Sequence, residues 1–178
     1  MSVALSAERE RELIALARSA RKSDRDAAFT EIVRALVPSL HSLCVGVTGN
    51  GVDADDAVQD TLCTVASELG RFRGEARLFT WCYRIALRAA VRVRAKHRAR
   101  GDAPPSVRSE PGSIDVDRED VRQLRLAMAQ LPIEQRVVLT LFAEGHTQDE
   151  IAAILDVPTG TVWSRLHTGK KRLRELLK

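Results

Sequence analysis

Four of the chain's seven aromatic side chains, Phe72, Phe79, Trp81 and Tyr83, are interleaved with Arg71, Arg73, Arg77 and Arg84. Any unstacked base can be held by a ring or a guanidinium plane, so this mixture suits single-stranded nucleic acid. The competing expectation is that large aromatics are core: Trp81 suits that role, and Phe79 suits either. Arg88, Arg92 and Lys96 extend the cationic line. A second group lies near the C-terminus: Thr161, Trp163, Ser164, Arg165, His167 and Thr168, followed by Lys170 and Lys171. Its Ser, Arg and His side chains can bond base edges, while the trailing cations neutralise phosphates. A third group, Asp56, Gln59 and Asp60, is spaced i, i+3, i+4 and shares one helix face. The helix dipole accounts for acids such as Asp53 and Asp55 at a helix start, but not for Gln59 or Asp60.

The charge distribution supports an anionic ligand with two contacts. The 178 residues carry a net charge of only +4. Yet residues 71–100 hold ten Arg or Lys against the single acid Glu75, and residues 158–178 hold six against Glu175. Acidic clusters lie at Asp53–Asp56 and Asp115–Asp120. Two separated basic blocks point to nucleic acid, although a solvated helix face explains either block alone. Cys44, Cys63 and Cys82 lack metal-ligand spacing and read as small core residues in a reducing cytoplasm. No stretch is expected to span a membrane, and no signal-peptide core opens the chain. His41, His97, His146 and His167 form no ligand cluster, and no catalytic triad or paired-carboxylate arrangement is evident. Neither an enzyme nor a cofactor is expected.

Hydrophobic residues make up 44% of the chain and aromatics 4%, with no useful β-alternation, so the expected fold is all-α. Residues 6–22 have helix-forming composition. Asp24 can cap a second helix through Leu43, with Pro38 bending or dividing it. Residues 46–51 read as a turn-rich break. Asp53 starts a third helix to Leu69, and a fourth runs from about Arg77 to Arg98. Pro, Gly, Ser and charges then dominate residues 101–116, a flexible linker. The expected organisation is two small helical domains, 1–100 and 117–178, joined by that linker.

Within the second domain, one helix runs from near Asp117 to Gln130 and another from Pro132 to Gly145. Thr147-Gln148-Asp149-Glu150 is a capping box that opens a helix carrying Ile151, Ile154 and Leu155 inward. Asp156-Val157-Pro158 turns the chain, and a last short helix follows with Val162, Leu166 and Leu173 toward the core. Two helices joined by a tight turn, the second rich in cations, make a helix-turn-helix suited to the major groove. A structural hairpin with a basic solvent face is the competing reading.

The ordered series Leu131-Pro132, Glu134-Gln135-Arg136, Glu150-Ile151-Ala152, Gly160-Thr161-Val162 and Ser164-Arg165-Leu166-His167 resembles region 4 of bacterial sigma factors. The similarity is to the extracytoplasmic-function (ECF) class of the sigma-70 family. Upstream, Asp53 to Thr61, Arg71 to Glu75 and Phe79 to Ala86 resemble region 2 of the same class. The resemblance implies that Asp56, Gln59 and Asp60 grip a basic coiled coil of the polymerase β′ subunit. It implies that Arg71, Phe72, Arg73, Phe79, Arg84, Arg88, Arg92 and Lys96 meet the −10 element, where a loop captures a base flipped from the non-template strand. Thr161 to Thr168 with Lys170 and Lys171 are implied for the −35 element. The implied partners are core RNA polymerase through β′ and β, promoter DNA in duplex and single-stranded form, and an anti-sigma factor. The implied location is cytoplasmic, without membrane insertion.

Several positions depart from the class pattern. Ala66 stands where tryptophan is common and Arg88 where asparagine is frequent. Trp163 replaces Lys or Arg, and Thr168-Gly169 replaces Arg-Ala. Asp156 takes the place of a turn glycine, which is tolerable because Asp can adopt the left-handed conformation. Two competing functions are a plain helix-turn-helix regulator that never joins polymerase, and a protein-only adaptor that has lost DNA binding. The first predicts tight duplex binding by the isolated protein. The sigma reading predicts weak binding until polymerase positions both domains.

Overall fold

The structure, a computed structural model, describes residues 6–99 and 116–178. Among the described residues there are eight α-helices, one 3-10 turn and no strand. The linker expected at 101–116 lies outside them, apart from Val116, where a helix begins.

The first unit holds α1 (Ala7–Ala17), α2 (Lys22–Thr48), α3 (Gly51–Glu68), the 3-10 turn Leu69–Arg71 and α4 (Leu78–Ala99). Ser6 caps α1 by accepting from the Arg9 amide. The helix expected over 6–22 ends earlier, at Ala17. There Ser19 donates to Asp24 while Arg25 takes the Ser19 and Ala20 carbonyls, which makes a turn. Asp24 is therefore not the cap of α2; Arg21 is, and Asp24 lies in the first turn. Pro38 does not divide α2, which runs through it. The expected break at 46–51 also shrinks: α2 continues to Thr48, ends on Gly49 at φ 91°, and Asn50 caps α3 through the Asp53 amide.

By length and composition α2 is long and apolar enough to cross a membrane, contrary to the expectation that no stretch qualifies. Its Ala28, Ile32, Leu36, Leu40 and Leu43 are instead buried among α1, α3 and α4, as in the central helix of a globular core. Cys44 and Cys82 are core residues whose thiols are pushed up to about 12 by burial. Cys63 is not: it lies on the outer side of α3 and is exposed.

The second unit holds α5 (Val116–Gln130), α6 (Ile133–Ala143), α7 (Gln148–Leu155) and α8 (Thr159–Leu176). The last helix, expected to be short, has 18 residues. Both halves of the Thr147–Glu150 capping box are formed. Asp156 closes α7 in the left-handed conformation at φ 56°, the geometry its short polar side chain tolerates. Arg136 is buried and donates to the Leu131 and Ala129 carbonyls at the end of α5.

The units pack on one another, α6 against α2 and α7 against α4. Gly46 lies at the α2–α6 contact. A Cβ there would stand 2.9 Å from Thr140 Oγ1, so the missing side chain lets α6 lie on α2.

Candidate nucleic-acid interface

Asp56, Gln59 and Asp60 are all exposed on one side of α3, while Ala57, Val58 and Thr61 between them are buried. Asp60 approaches the Arg92 guanidinium only at 3.9 Å, with both groups well solvated. The acidic face is thus available to a partner. Asp53, in the first turn of α3, is buried instead and faces His97 at 3.3 Å.

Along α4, Arg88, Arg92 and Lys96 are exposed at four-residue spacing, a cationic stripe. Arg94 leaves that stripe and donates to the Val47 carbonyl near the end of α2 at 2.8 Å. Arg84 begins the stripe but is engaged by the second unit. Its Nη2 and Nε donate to the Ala153 carbonyl of α7 at 2.6 and 3.0 Å, and Asp156 lies 3.9 Å away.

The 3-10 turn exposes Arg71, and the loop between it and α4 exposes Arg73 and Glu75, with Gly74 at φ 77°. Its aromatics turn inward. Phe72 is 7% exposed and rests against Trp81, ring centroids 4.9 Å apart, while Phe79 is 9% exposed and Trp81 half-buried. Tyr83 is fully buried, and its hydroxyl lies 3.0 Å from His146 Nε2 and 3.5 Å from Glu144 Oε2. It therefore belongs to the junction between the units.

Sequence reasoning passed over that junction. Residues from distant segments meet there, and neither Glu144 nor His146 carries a motif. Burial pushes the Glu144 carboxyl up to about 7, and burial depresses His146. The two shifts oppose each other in pH. With Glu144, the packed protein holds a proton that the separated units release, so packing weakens as pH rises from the ordinary carboxylate range through 7. With His146, the packed protein lacks a proton that the separated units bind, so its contribution is lost as pH falls through 6.5. Glu144→Gln is expected to remove the first slope and leave stability rising with pH, read as Tm between pH 5 and 8. A profile unchanged from the parent would mean that Glu144 does not titrate there.

In the helix-turn-helix, Val162 and Leu166 of α8 are buried, while Trp163, Ser164, His167, Thr168 and Lys171 face outward. Thr161 and Arg165 are partly exposed. Trp163, 59% exposed, stacks on His167 with centroids 5.5 Å apart and planes at 13°. Thr159 ties the start of α8 to α7 by donating to Asp149 at 3.0 Å. Lys170 lies over the Phe142 ring, 3.9 Å from its centroid, which holds it toward α6. Gly169 is buried because α6 comes close: a Cβ there would be 3.0 Å from Leu139 Cδ1. Its replacement of a bulkier residue thus has a packing reason. Among the described residues no group of three or more His, Cys, Asp or Glu could hold a metal ion.

Comparison with known proteins agrees with this layout. Residues 32–100 match the family model for Sigma-70 region 2, and residues 121–173 match Sigma-70, region 4. The chain is 31% identical over 152 residues to the ECF RNA polymerase sigma factor EcfG of Rhodopseudomonas palustris, covering 82% of each protein. It is 30% identical over 151 residues to the ECF sigma factor SigM of Mycobacterium tuberculosis, covering 84% of this chain and 77% of that one. Among solved structures it is similar to the sigma factor RpoE of Bartonella quintana, crystallised with the anti-sigma factor NepR. There the TM-score is 0.68 and the identity 26%, over 84% of this chain and 96% of that one. CnrH in complex with the cytosolic domain of CnrY shares the fold, with a TM-score of 0.71 at 24% identity over 95% and 97% of the two chains. With an acidic face on α3, a cationic stripe on α4 and a helix-turn-helix at α7–α8, the chain belongs to the ECF sigma factors of the sigma-70 family, which direct RNA polymerase to promoters.

Proposed function

We propose that the two basic surfaces divide promoter reading between them, and that the acidic face of α3 anchors the protein to polymerase. Asp56, Gln59 and Asp60 meet a basic element of the β′ subunit, and the second unit meets β. Arg71 and Arg73, backed by Phe72 and Phe79, take the unstacked −10 strand. Arg84, Arg88, Arg92 and Lys96 follow the adjoining duplex. Thr161, Trp163, Ser164, Arg165, His167, Thr168, Lys170 and Lys171 serve the −35 element. The observation that carries this reading is the outer face of α8, where polar and cationic side chains are displayed over a buried Val162–Leu166 edge. The protein brings no chemistry of its own and works in the cytoplasm with the polymerase. The similar RpoE was crystallised with an anti-sigma factor, and by analogy an anti-sigma factor holds this chain inactive.

Run-off transcription with purified core polymerase over genomic promoter fragments tests the reading. Specific transcripts that need this protein support it, and absence of core binding would return it to a plain helix-turn-helix regulator. Arg165→Ala is expected to cost about 1–3 kcal/mol of discrimination at one −35 base pair if the guanidinium reads a base edge. A uniform loss across unrelated sequences would assign it to phosphate.

A further inference from the structure

Helix α1 lies upstream of the segment that matches region 2, which begins at residue 32. It is nevertheless built into the base of the loop that precedes α4. Leu13 and Ala17 are buried in the core, and the Ala17 carbonyl comes within 3.7 Å of a Cβ placed on Gly70, in the 3-10 turn. Two polar side chains of this first segment then hold the two ends of the loop. At the start, Arg18 Nη2 donates to the Phe72 carbonyl. At the end, Glu10 takes Arg77 Nη2 at 2.9 Å and the Leu78 amide at 3.4 Å. Glu10 is a buried carboxylate, 5% exposed, placed where the first amides of α4 lack helical partners. Between the two clamps, Arg73, Gly74 and Glu75 project into solvent.

We propose that α1 is a positioning strut for promoter melting: Glu10 and Arg18 fix both ends of the 72–77 loop so that it is preorganised to receive an unstacked −10 base. Extracting a base from the stack is costly, and a loop that must also be ordered at that moment adds to the barrier. The proposal rests on the reading of this loop as the single-strand site. It makes Glu10 and Arg18 act through the loop, without touching DNA. The polymerase-facing carboxylates are on α3 and the −35 residues on α8, so neither should respond to changes in α1.

The test uses holoenzyme reconstituted from core polymerase and the full chain, on a promoter recovered by run-off transcription. The probes are non-template −10 strands, either intact or carrying an abasic site at the captured position. E10Q and R18M are expected to bind the intact strand roughly ten- to hundred-fold more weakly, the range for loss of a charge-assisted hydrogen bond. R18K, which retains a donor for the Phe72 carbonyl, should recover much of the loss. On the abasic strand, parent and variants should bind alike, and core affinity should be unchanged throughout. Equal binding of parent and variants to the intact strand would overturn the strut. So would a loss that persists on the abasic strand, or one accompanied by equal loss of core affinity, because α1 would then support the fold generally. If the parent itself ignores the abasic site, the loop does not capture a base, and the underlying reading falls with the proposal.

Discussion

Replacing Asp56, Gln59 and Asp60 together with alanine will weaken binding to core RNA polymerase by roughly 30-fold or more, since truncating charged partners at an interface commonly costs 2–5 kcal/mol. The helical fold should survive. All three side chains are exposed, and the nearest cation, Arg92, is 3.9 Å from Asp60 across solvent. Alanine also has the highest helix propensity, so α3 gains in intrinsic stability what it loses in surface polarity. Core affinity by fluorescence anisotropy, together with circular dichroism of the free protein, checks both parts. Unchanged affinity would remove the polymerase role from this face. A fall in helicity would make the face structural.

Gly46→Leu will separate the two units and raise the radius of gyration above the value of about 16 Å expected for a compact chain of this length. The side chain would enter the contact in which even a Cβ lies 2.9 Å from Thr140 Oγ1. Overpacking of this kind costs about 1–3 kcal/mol, which moves a two-state equilibrium between packed and separated units by roughly 5- to 150-fold. Helix α2 should not unravel, because leucine favours a helix interior over glycine by nearly 1 kcal/mol.

The consequence for function follows from size. Elements at −35 and −10 lie about 25 base pairs apart, or roughly 85 Å of duplex at 3.4 Å per step. A compact chain with a radius of gyration of about 16 Å falls well short of that span, and the packing ties Arg84 of the α4 stripe to the Ala153 carbonyl. On the promoter reading proposed above, the variant is therefore expected to form promoter complexes with core polymerase faster than the parent. Small-angle scattering showing an unchanged radius would mean that Thr140 rotates aside and absorbs the added side chain.

Much of this protein is written locally along the chain. The capping box at Thr147–Glu150, the left-handed turn at Asp156, the buried Val162–Leu166 edge and the exposed α3 face depend on residues within a few positions of one another. Periodicity and short-range hydrogen bonding specify such features, so spacing alone reveals them. Helix ends were less legible. Asp24 resembles a cap, yet Ser19 claims its carboxylate; the glycines at 46 and 49 resemble one break, yet only Gly49 ends the helix.

What tertiary structure alone decided is the use made of ambiguous side chains. Tyr83 sits among the basic aromatics in sequence but is buried against His146, more than sixty residues away. Phe72 and Phe79 are turned inward, Lys170 is drawn over Phe142, and Gly46 is a packing surface for Thr140. Glu10 carries no motif, yet it holds the start of α4. Each of these outcomes depends on which distant surface arrives opposite the residue. Composition and spacing encode the periodic face a helix offers, but burial and ion pairing are set by the partner it meets after folding.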